Sequence, residues 1–192
     1  MPAPKPDSTK QHFVLDLETL AIDPRAVVTE IAIVELKTGA AFNCIINPLE
    51  QQENGFIQSE ETISWHLKRD PSYVMKLAHN GIKGISAAEK FVTFLTEAKA
   101  ISGKEPVIWC QGTDFDIPII THFLRKYLGV NKNPWAYNNV RDIRTLAAMF
   151  PEVPYVKGNH TALGDAQCSA AFLNQAAWYN PTIAAYLGLT LE

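Results

Sequence analysis

Residues 12–19 constrain the fold of this chain more than any other part of its sequence. Phe13, Leu15 and Leu17 alternate with polar positions, and a period of two predicts a β-strand with one apolar face. Asp16 and Glu18 then share the opposite face, on rigid backbone rather than in a loop. Neighbouring carboxylates need cations, so the pair predicts a divalent metal site. A solvated face of an edge strand is the simpler alternative.

Composition limits the classes of protein to which the chain can belong. It has 192 residues, of which 47% are hydrophobic and 19% are charged, as expected for one globular domain. It has no run of roughly 20 apolar residues that would span a membrane, and its start lacks the apolar core of a secretory signal. We therefore expect a cytoplasmic protein with no membrane partner and a flexible N-terminus at residues 1–11.

Charge and cysteine content exclude two further kinds of site. A formal net charge of -3 argues against a broad basic surface that binds duplex nucleic acid, but leaves room for a pocket that binds one strand end. Cys44, Cys110 and Cys168 lie far apart and lack the paired spacing of a zinc site. We expect all three to be reduced.

The N-terminal half predicts a three-stranded antiparallel meander followed by an insert. Residues 27–36 and 41–46 have strand character on either side of a Thr38-Gly39 turn. The pattern then becomes polar over about 49–82, which predicts a helical insert able to cover a cleft. Ser59 would cap a helix over residues 60–68, and Asp70-Pro71 would open a second helix that Asn80-Gly81 closes.

The C-terminal half predicts alternating helices and strands. Ser86 and Glu89 form a capping box, which predicts a helix to about residue 100. The remaining predicted elements are a buried strand at 106–110, a helix at 115–128 ended by Gly129, a strand at 140–143, and helices at 145–150 and 161–179.

This order of elements, β-β-β-α-β-α-β-α, predicts an α/β fold. Its mixed sheet would join the antiparallel meander to parallel strands, flanked by helices, with the first and fourth strands as neighbours. We expect one domain over 12–180 and a C-terminal tail over 181–192. In such sheets a ligand binds at the carboxyl ends of central strands.

Two later segments supply further acids beside histidine and phenylalanine. The motifs are Asp16-x-Glu18, Phe115-Asp116 at a strand-to-helix turn, and His160-x-Ala162-x-x-Asp165. Together they resemble, in order and spacing, the three motifs of the DEDDh exonucleases, the DnaQ-like and RNase T-like superfamily. The resemblance covers residues 12–178 and implies an RNase H-like fold. Segments 62–65, 109–112 and 141–145 are also similar to exonuclease A of T-even phages and its small bacterial relatives.

Each motif alone has a simpler explanation. Asp116 could be a helix-start carboxylate that the helix dipole favours. Asp114, two residues earlier, could be the ligand instead, although we expect it to be a cap. His160 alone could be an exposed polar residue. The joint occurrence of the motifs, on the elements that the chemistry requires, favours the site.

The resemblance implies a two-metal mechanism. Oxygen ligands select hard cations, Mg²⁺ or Mn²⁺, and two ions would clamp the scissile phosphate. Asp16 would bridge both ions, Glu18 and Asp165 would bind the nucleophile-side ion, and Asp116 would bind the other. His160 would take the proton of the attacking water, because an unperturbed histidine pKa of about 6.5 lies near working pH.

The resemblance also implies 3′-to-5′ action on single strands or overhangs, with release of nucleoside 5′-monophosphates. Thr19 and Leu20 would lie near the terminal sugar. Trp65 would stack on a base or belong to the core, and the sequence favours neither. The other residues considered are Lys157, which touches a phosphate or is simply solvated, and Asp142 and Arg144, which we expect to be structural.

Three functions fit these residues. DNA ends are the favoured substrate, and RNA ends are the nearest rival, because sugar discrimination depends on how closely the Thr19 region approaches the 2′-hydroxyl. A non-catalytic nucleic-acid-binding subunit is the third reading. The oligomeric state, a homodimer included, stays open.

Overall fold

The computed structural model describes residues 8–129, 133–156 and 158–190. The strands are β1 (Lys10–Thr19), β2 (Val28–Glu35), β3 (Ala41–Ile45), β4 (Glu105–Cys110) and β5 (Val140–Asp142). The helices are α1 (Leu49–Glu53), α2 (Glu60–Arg69), α3 (Tyr73–Asn80), α4 (Gly84–Ser102), α5 (Thr113–Leu128), α6 (Ile143–Met149), α7 (Ala162–Tyr179) and α8 (Pro181–Tyr186). The predicted order is confirmed, and α1 and α8 are additional short helices.

The five strands form one mixed sheet in the order β3-β2-β1-β4-β5. β1 pairs antiparallel with β2, as β2 does with β3, whereas β1 pairs parallel with β4 and β4 with β5. The first and fourth strands are therefore neighbours, as predicted. Because β1 lies between β2 and β4, the alternative of a solvated edge strand for Asp16 and Glu18 is wrong.

Both faces of the sheet are covered. Phe13, Leu15 and Leu17 are buried in a core that includes residues of α4 and α5. Val14, on the opposite face, is buried in a second core with residues of α7 and α8. Asp16 and Glu18 share the face of Val14, since side chains alternate along a strand. Helix α7 contacts β1 and β2 and thereby lies over the acidic face of β1.

Two predicted helix caps are wrong. Helix α4 begins at Gly84, so Ser86 lies inside the first turn instead of capping it. The carboxylate of Glu50 in α1 caps this helix instead, because its Oε1 accepts a hydrogen bond from the Gly84 N–H. Asp114 does not cap α5 either, since Gly112 occupies that position with φ of 111°. Asp114 is an exposed residue of the first turn.

The C-terminal segment is more ordered than the predicted tail. Asn180 caps α8, where its Oδ1 accepts a hydrogen bond from the Thr182 N–H at 2.8 Å. Ile183 and Ala184 are buried in the second core. Burial of this apolar face holds residues 181–186 against α7 as a helix. At the other end, β1 begins at Lys10, and residues 1–7 of the predicted flexible terminus lie outside the described part.

The structure also bears on the cysteines and on membrane-spanning helices. Cys44, Cys110 and Cys168 are free thiols, as expected. Within the described ranges, no helix is both long and apolar enough to cross a bilayer.

The insert is fixed to the sheet by buried polar contacts. In α1, the Gln51 side chain accepts from the Val28 N–H at 2.9 Å and donates to the Val28 carbonyl at 2.7 Å. In α2, Nε2 of His66 lies 2.9 Å from the carbonyl oxygen of Thr19 at the end of β1. These bonds place α2 beside the acidic end of the central strand.

Candidate active site

Three carboxylates converge at the end of the central strand. Asp16 and Glu18 project from β1, and Asp165 projects from the first turn of α7. One oxygen from each lies within 4.8 Å of the other two. The structure thus brings together residues that are almost 150 positions apart in sequence, because α7 packs across β1 and β2.

A fourth carboxylate, that of Asp116, lies beside this cluster. It belongs to the first turn of α5, which follows β4, the parallel neighbour of β1. The residue is 3% exposed, and its N–H donates to the Gly112 carbonyl at 3.3 Å. The carboxyl ends of adjacent parallel strands meet at one sheet edge, which explains why Asp116 approaches Asp16.

Burial and mutual repulsion dominate the electrostatics of the acids. Burial raises the pKa of Asp16 well above its usual value, and the charges of Asp116 and Glu18 add to this rise. The pKa of Glu18 is raised to about 8 by burial and then by Glu30 and Asp165. Burial raises the pKa of Asp116 to about 7. Bound cations would relieve this repulsion, and a set of carboxylate oxygens suits Mg²⁺ or Mn²⁺.

His160 lies in the loop before α7, at the edge of this cluster. It is exposed and has φ of 58°, which makes it the only non-glycine residue with positive φ among those described. Its backbone N–H donates to Oδ1 of Asp165 at 3.3 Å. Gly158 permits this close packing, because a Cβ there would lie 1.7 Å from Oδ1 of Asp165. The loop is therefore folded tightly around Asp165, with the imidazole accessible to water.

Glu30 is a fifth acid of the site, and the sequence analysis missed it. It lies on β2 directly across from Glu18. Its Oε2 accepts a hydrogen bond from the Ala162 N–H at 3.1 Å, where α7 begins. Burial raises its pKa, and the charge of Asp165 raises it further. The sequence contained one indication of this role, a charged residue inside the apolar strand β2. It could not show that Glu30 lies opposite Glu18, because that pairing depends on strand register.

A cavity of about 310 Å³ opens beside Glu18. Its lining residues are Leu17, Glu18, Thr19, Ile22, Glu61, Thr62, Trp65, His66 and Phe115. Trp65 is 44% exposed, so it is not a core residue. Thr19 forms part of the wall, whereas Leu20 does not and is 4% exposed within the first core.

The insert contacts the loop that carries His160 through Trp65 and Arg69. The Trp65 ring meets the His160 ring edge-on, with centroids 5.6 Å apart. The guanidinium of Arg69 lies 4.5 Å from the Trp65 centroid, and its Nη2 donates to the Asn159 carbonyl at 3.3 Å. Helix α2 therefore holds one side of the His160 loop. Lys157, considered for phosphate contact, lies outside the described residues.

The family comparison agrees with this geometry. The model of the 3′-5′ exoribonuclease Rv2179c-like domain matches residues 11–177, so the chain belongs to this family of exonuclease domains. This agrees with the predicted membership of the DnaQ-like superfamily, and it places the chain among the nucleases. A search of curated proteins found no significant match.

Solved structures of exonuclease I share the fold. A moderately thermophilic exonuclease I from Methylocaldum szegediense superposes with a TM-score of 0.67 at 16% identity, over 90% of this chain and 41% of that chain. E. coli exonuclease I in complex with a 5cy-dT13 oligonucleotide gives 0.65 at 13% identity, over 91% and 42%. The chain thus spans less than half the length of these enzymes, and the likeness confirms the predicted fold class. The similarity to the T-even phage enzyme stays a prediction.

The raised carboxyl pKa values predict how the metal-free protein responds to pH. At these acids the folded state binds more protons than the unfolded state, so their contribution to the unfolding free energy falls as pH rises from about 4 towards 8. We expect the melting temperature in EDTA to fall between about pH 5 and about pH 8. Saturating Mn²⁺ should raise it at pH 8 by roughly 5 to 10 °C at about 100 times the dissociation constant.

Substitution of one acid distinguishes stabilisation by Mn²⁺ bound at the cluster from a general effect of salt on the melting temperature. Asp16→Asn should melt higher than the wild type in EDTA at the higher pH and should lose the increase caused by Mn²⁺. Asp114→Asn is the matched control, because Asp114 is exposed and outside the cluster. A full Mn²⁺ response in Asp16→Asn would contradict the assignment.

Proposed function

We propose that this protein is a divalent-metal-dependent 3′-to-5′ exonuclease that removes nucleoside 5′-monophosphates from single strands. The observation that carries the proposal is the convergence of Asp16, Glu18 and Asp165 within 4.8 Å, with Asp116 and His160 beside them. Membership of the exoribonuclease domain family supports the reaction class. A merely structural cluster would pair these acids with basic residues, whereas the described ion pairs all lie elsewhere.

Each residue of the site has a proposed task. Asp16, Glu18 and Asp165 would hold the metal on the side of the attacking water, and Asp116 would serve the side of the leaving 3′-oxygen. Divalent cations bound there supply Lewis-acid stabilisation of the phosphoryl oxygens and a water of lowered pKa. An imidazole nitrogen of His160 would accept the proton of that water, since the residue is exposed and its backbone N–H is bonded to Asp165.

Glu30 would act through the backbone in this scheme. Its carboxylate holds the first N–H of α7, the helix that carries Asp165 and follows His160 directly. Negative charge at a helix N-terminus is favourable, which explains how an acid is tolerated opposite Glu18. Glu30 would thus be a positioning residue for the catalytic loop.

For the substrate, we propose the 3′ ends of single-stranded RNA, with single-stranded DNA ends as the alternative. This order reverses the preference drawn from sequence alone, because the matching family model describes an exoribonuclease domain. The exonuclease I structure with bound dT13 supports an extended single strand as the ligand, but its 13% identity carries no preference for a sugar.

The cavity at Glu18 would receive the terminal nucleoside. Its volume of about 310 Å³ fits one base and sugar, and Thr19 lies at the wall nearest the acids. The Arg69 guanidinium lies over the Trp65 ring, 4.5 Å from its centroid, and leaves no room for a base there. A base would therefore stack on the part of the ring that lines the cavity. Stacking tolerates any base, as a general exonuclease requires.

The central test is digestion of 5′-labelled RNA and DNA oligomers of the same sequence with Mn²⁺, Mg²⁺ or EDTA. We expect metal-dependent shortening from the 3′ end, release of 5′-monophosphates, and faster shortening of RNA. Asp116→Asn should lose about 100-fold or more in kcat, and Asp114→Asn should keep wild-type activity. His160→Ala should lose about 10² to 10⁴.

Two results would count against the proposal. Tight binding of strand ends without turnover in either metal would favour a non-catalytic binding subunit. Unchanged turnover by Asp116→Asn would remove the acid cluster from the reaction. Faster digestion of DNA would restore the alternative substrate without altering the mechanism.

Trp65 provides a separate test of the terminal-nucleotide cavity. Trp65→Ala should raise KM by roughly 5-fold to 100-fold, because stacking is worth about 1 to 3 kcal/mol, while Trp65→Phe should keep most of the affinity. Trp178→Ala is the matched control, since Trp178 is 66% exposed. An unchanged KM in Trp65→Ala, with an unchanged melting temperature, would rule out the stacking role.

A further inference from the structure

Arg144, expected from the sequence to be structural, is held in a fixed position beside Asp116. Its backbone N–H donates to Oδ1 of Asp142 at 2.8 Å, which caps α6. The other oxygen of Asp142 accepts from the Thr113 N–H at 3.2 Å, in the first turn of α5. One carboxylate therefore joins the first turn that carries Arg144 to the first turn that carries Asp116.

The Arg144 side chain lies against the backbone at the start of α5. A Cβ on Gly112 would lie 2.7 Å from Nη1 and 2.9 Å from Cζ of Arg144. Gly112 also has φ of 111°, a backbone conformation that favours glycine. The Asp116 N–H donates to the Gly112 carbonyl at 3.3 Å, so the guanidinium lies against the helical turn that carries Asp116.

Arg144 differs from Arg69 and Arg141 in the hydrogen bonding of its side chain among the described residues. Arg69 donates to the Asn159 carbonyl, and Arg141 donates to Tyr186 and to two backbone carbonyls. Across residues 8–129, 133–156 and 158–190, no hydrogen bond or ion pair involves the guanidinium of Arg144. Arg144 is an exposed residue, and Asp142 holds its backbone N–H.

We propose that Arg144 binds the phosphate immediately 5′ of the scissile one, the second phosphodiester from the 3′ end. The inference rests on the proposed exonuclease function, in which Asp116 serves the leaving side of the scissile bond. The terminal nucleoside would occupy the Trp65 cavity at the end of β1, and the strand would leave past Asp116 towards β5. Arg144 follows β5, the outermost strand on that side.

Guanidinium chemistry suits this ligand. The planar group presents a fork of N–H donors that matches two phosphate oxygens, and it is less strongly hydrated than an ammonium. Contact with a backbone phosphate depends on neither the base nor the sugar. The residue would therefore strengthen binding of strands that extend beyond the terminal dinucleotide, without selecting their sequence.

The test compares two dinucleotide substrates that differ by one phosphate. A dinucleoside monophosphate with a free 5′-hydroxyl contains only the scissile phosphodiester, whereas its 5′-phosphorylated form adds a phosphate where the next phosphodiester would lie. Arg144→Ala should lower kcat/KM about tenfold on the phosphorylated substrate and on longer oligomers. It should change kcat/KM by less than about twofold on the form with a free 5′-hydroxyl.

Additional variants and readouts separate phosphate binding from a structural role. Arg144→Lys should recover part of the loss, because it keeps the charge without the planar fork. Arg125→Ala, at an exposed position in the last turn of α5, should behave as wild type on both substrates. For oligomers, the slope of log KM against log salt should decrease by about 0.7 in Arg144→Ala.

Every other outcome overturns the inference. An equal loss on both dinucleotides would mean that Arg144 acts on the scissile phosphate or through Asp116. No loss on either would mean that it contacts no phosphate. Absence of turnover by the wild-type protein on all substrates would overturn the proposed function, and the inference with it.

Discussion

Repulsion among buried carboxylates at the end of β1 is the interaction on which the site depends. Asp16, Glu18 and Asp165 approach within 4.8 Å, and the pKa values of Glu18 and Asp116 are raised to about 8 and about 7. Without cations the fold holds these groups at a cost that grows as they ionise. Divalent cations bound between the carboxylates would remove this cost, and carboxylate oxygens are the ligands that such cations prefer.

The acids stay close together despite their repulsion because they belong to separate elements, each of which is held in place by its own packing. β1 is the central strand, covered by a core on each face, and its pairing with β2 runs through Asp16 and Glu18 to Thr19. Asp165 lies in α7, which is packed on β1 and β2, and Glu30 holds the first N–H of that helix. The loop around His160, with its positive φ, is braced by Arg69 of the insert.

Much of this arrangement was predictable from sequence because its signals are local. Alternation in residues 12–19 identified the strand, Gly129 marked the end of α5, and the motif spacing selected His160 and Asp165. Contacts between distant residues were not predictable in this way. The position of Glu30 opposite Glu18 depends on strand register, and the cap of α4 by Glu50 replaced the local Ser86 box. Domain limits, cytoplasmic location and oligomeric state stay predictions.

Two short helices were not predicted, for a different reason. Helices α1 and α8 have 5 and 6 residues, too few for a clear helical period, and both depend on tertiary contacts. The role proposed for Arg144 was not predictable either, because a guanidinium that rests on Gly112 leaves no pattern in the sequence. Sequence thus predicted the acids that converge in the structure, whereas Glu30 and the position of Arg144 required coordinates.

The most direct test of the account is anomalous diffraction from crystals of the protein grown with Mn²⁺. The account predicts anomalous density between Asp16, Glu18 and Asp165, with further density on the side of Asp116, and loss of both in Asp16→Asn. Carboxylates that remain within 4.8 Å of one another in saturating Mn²⁺ without anomalous density between them would contradict it.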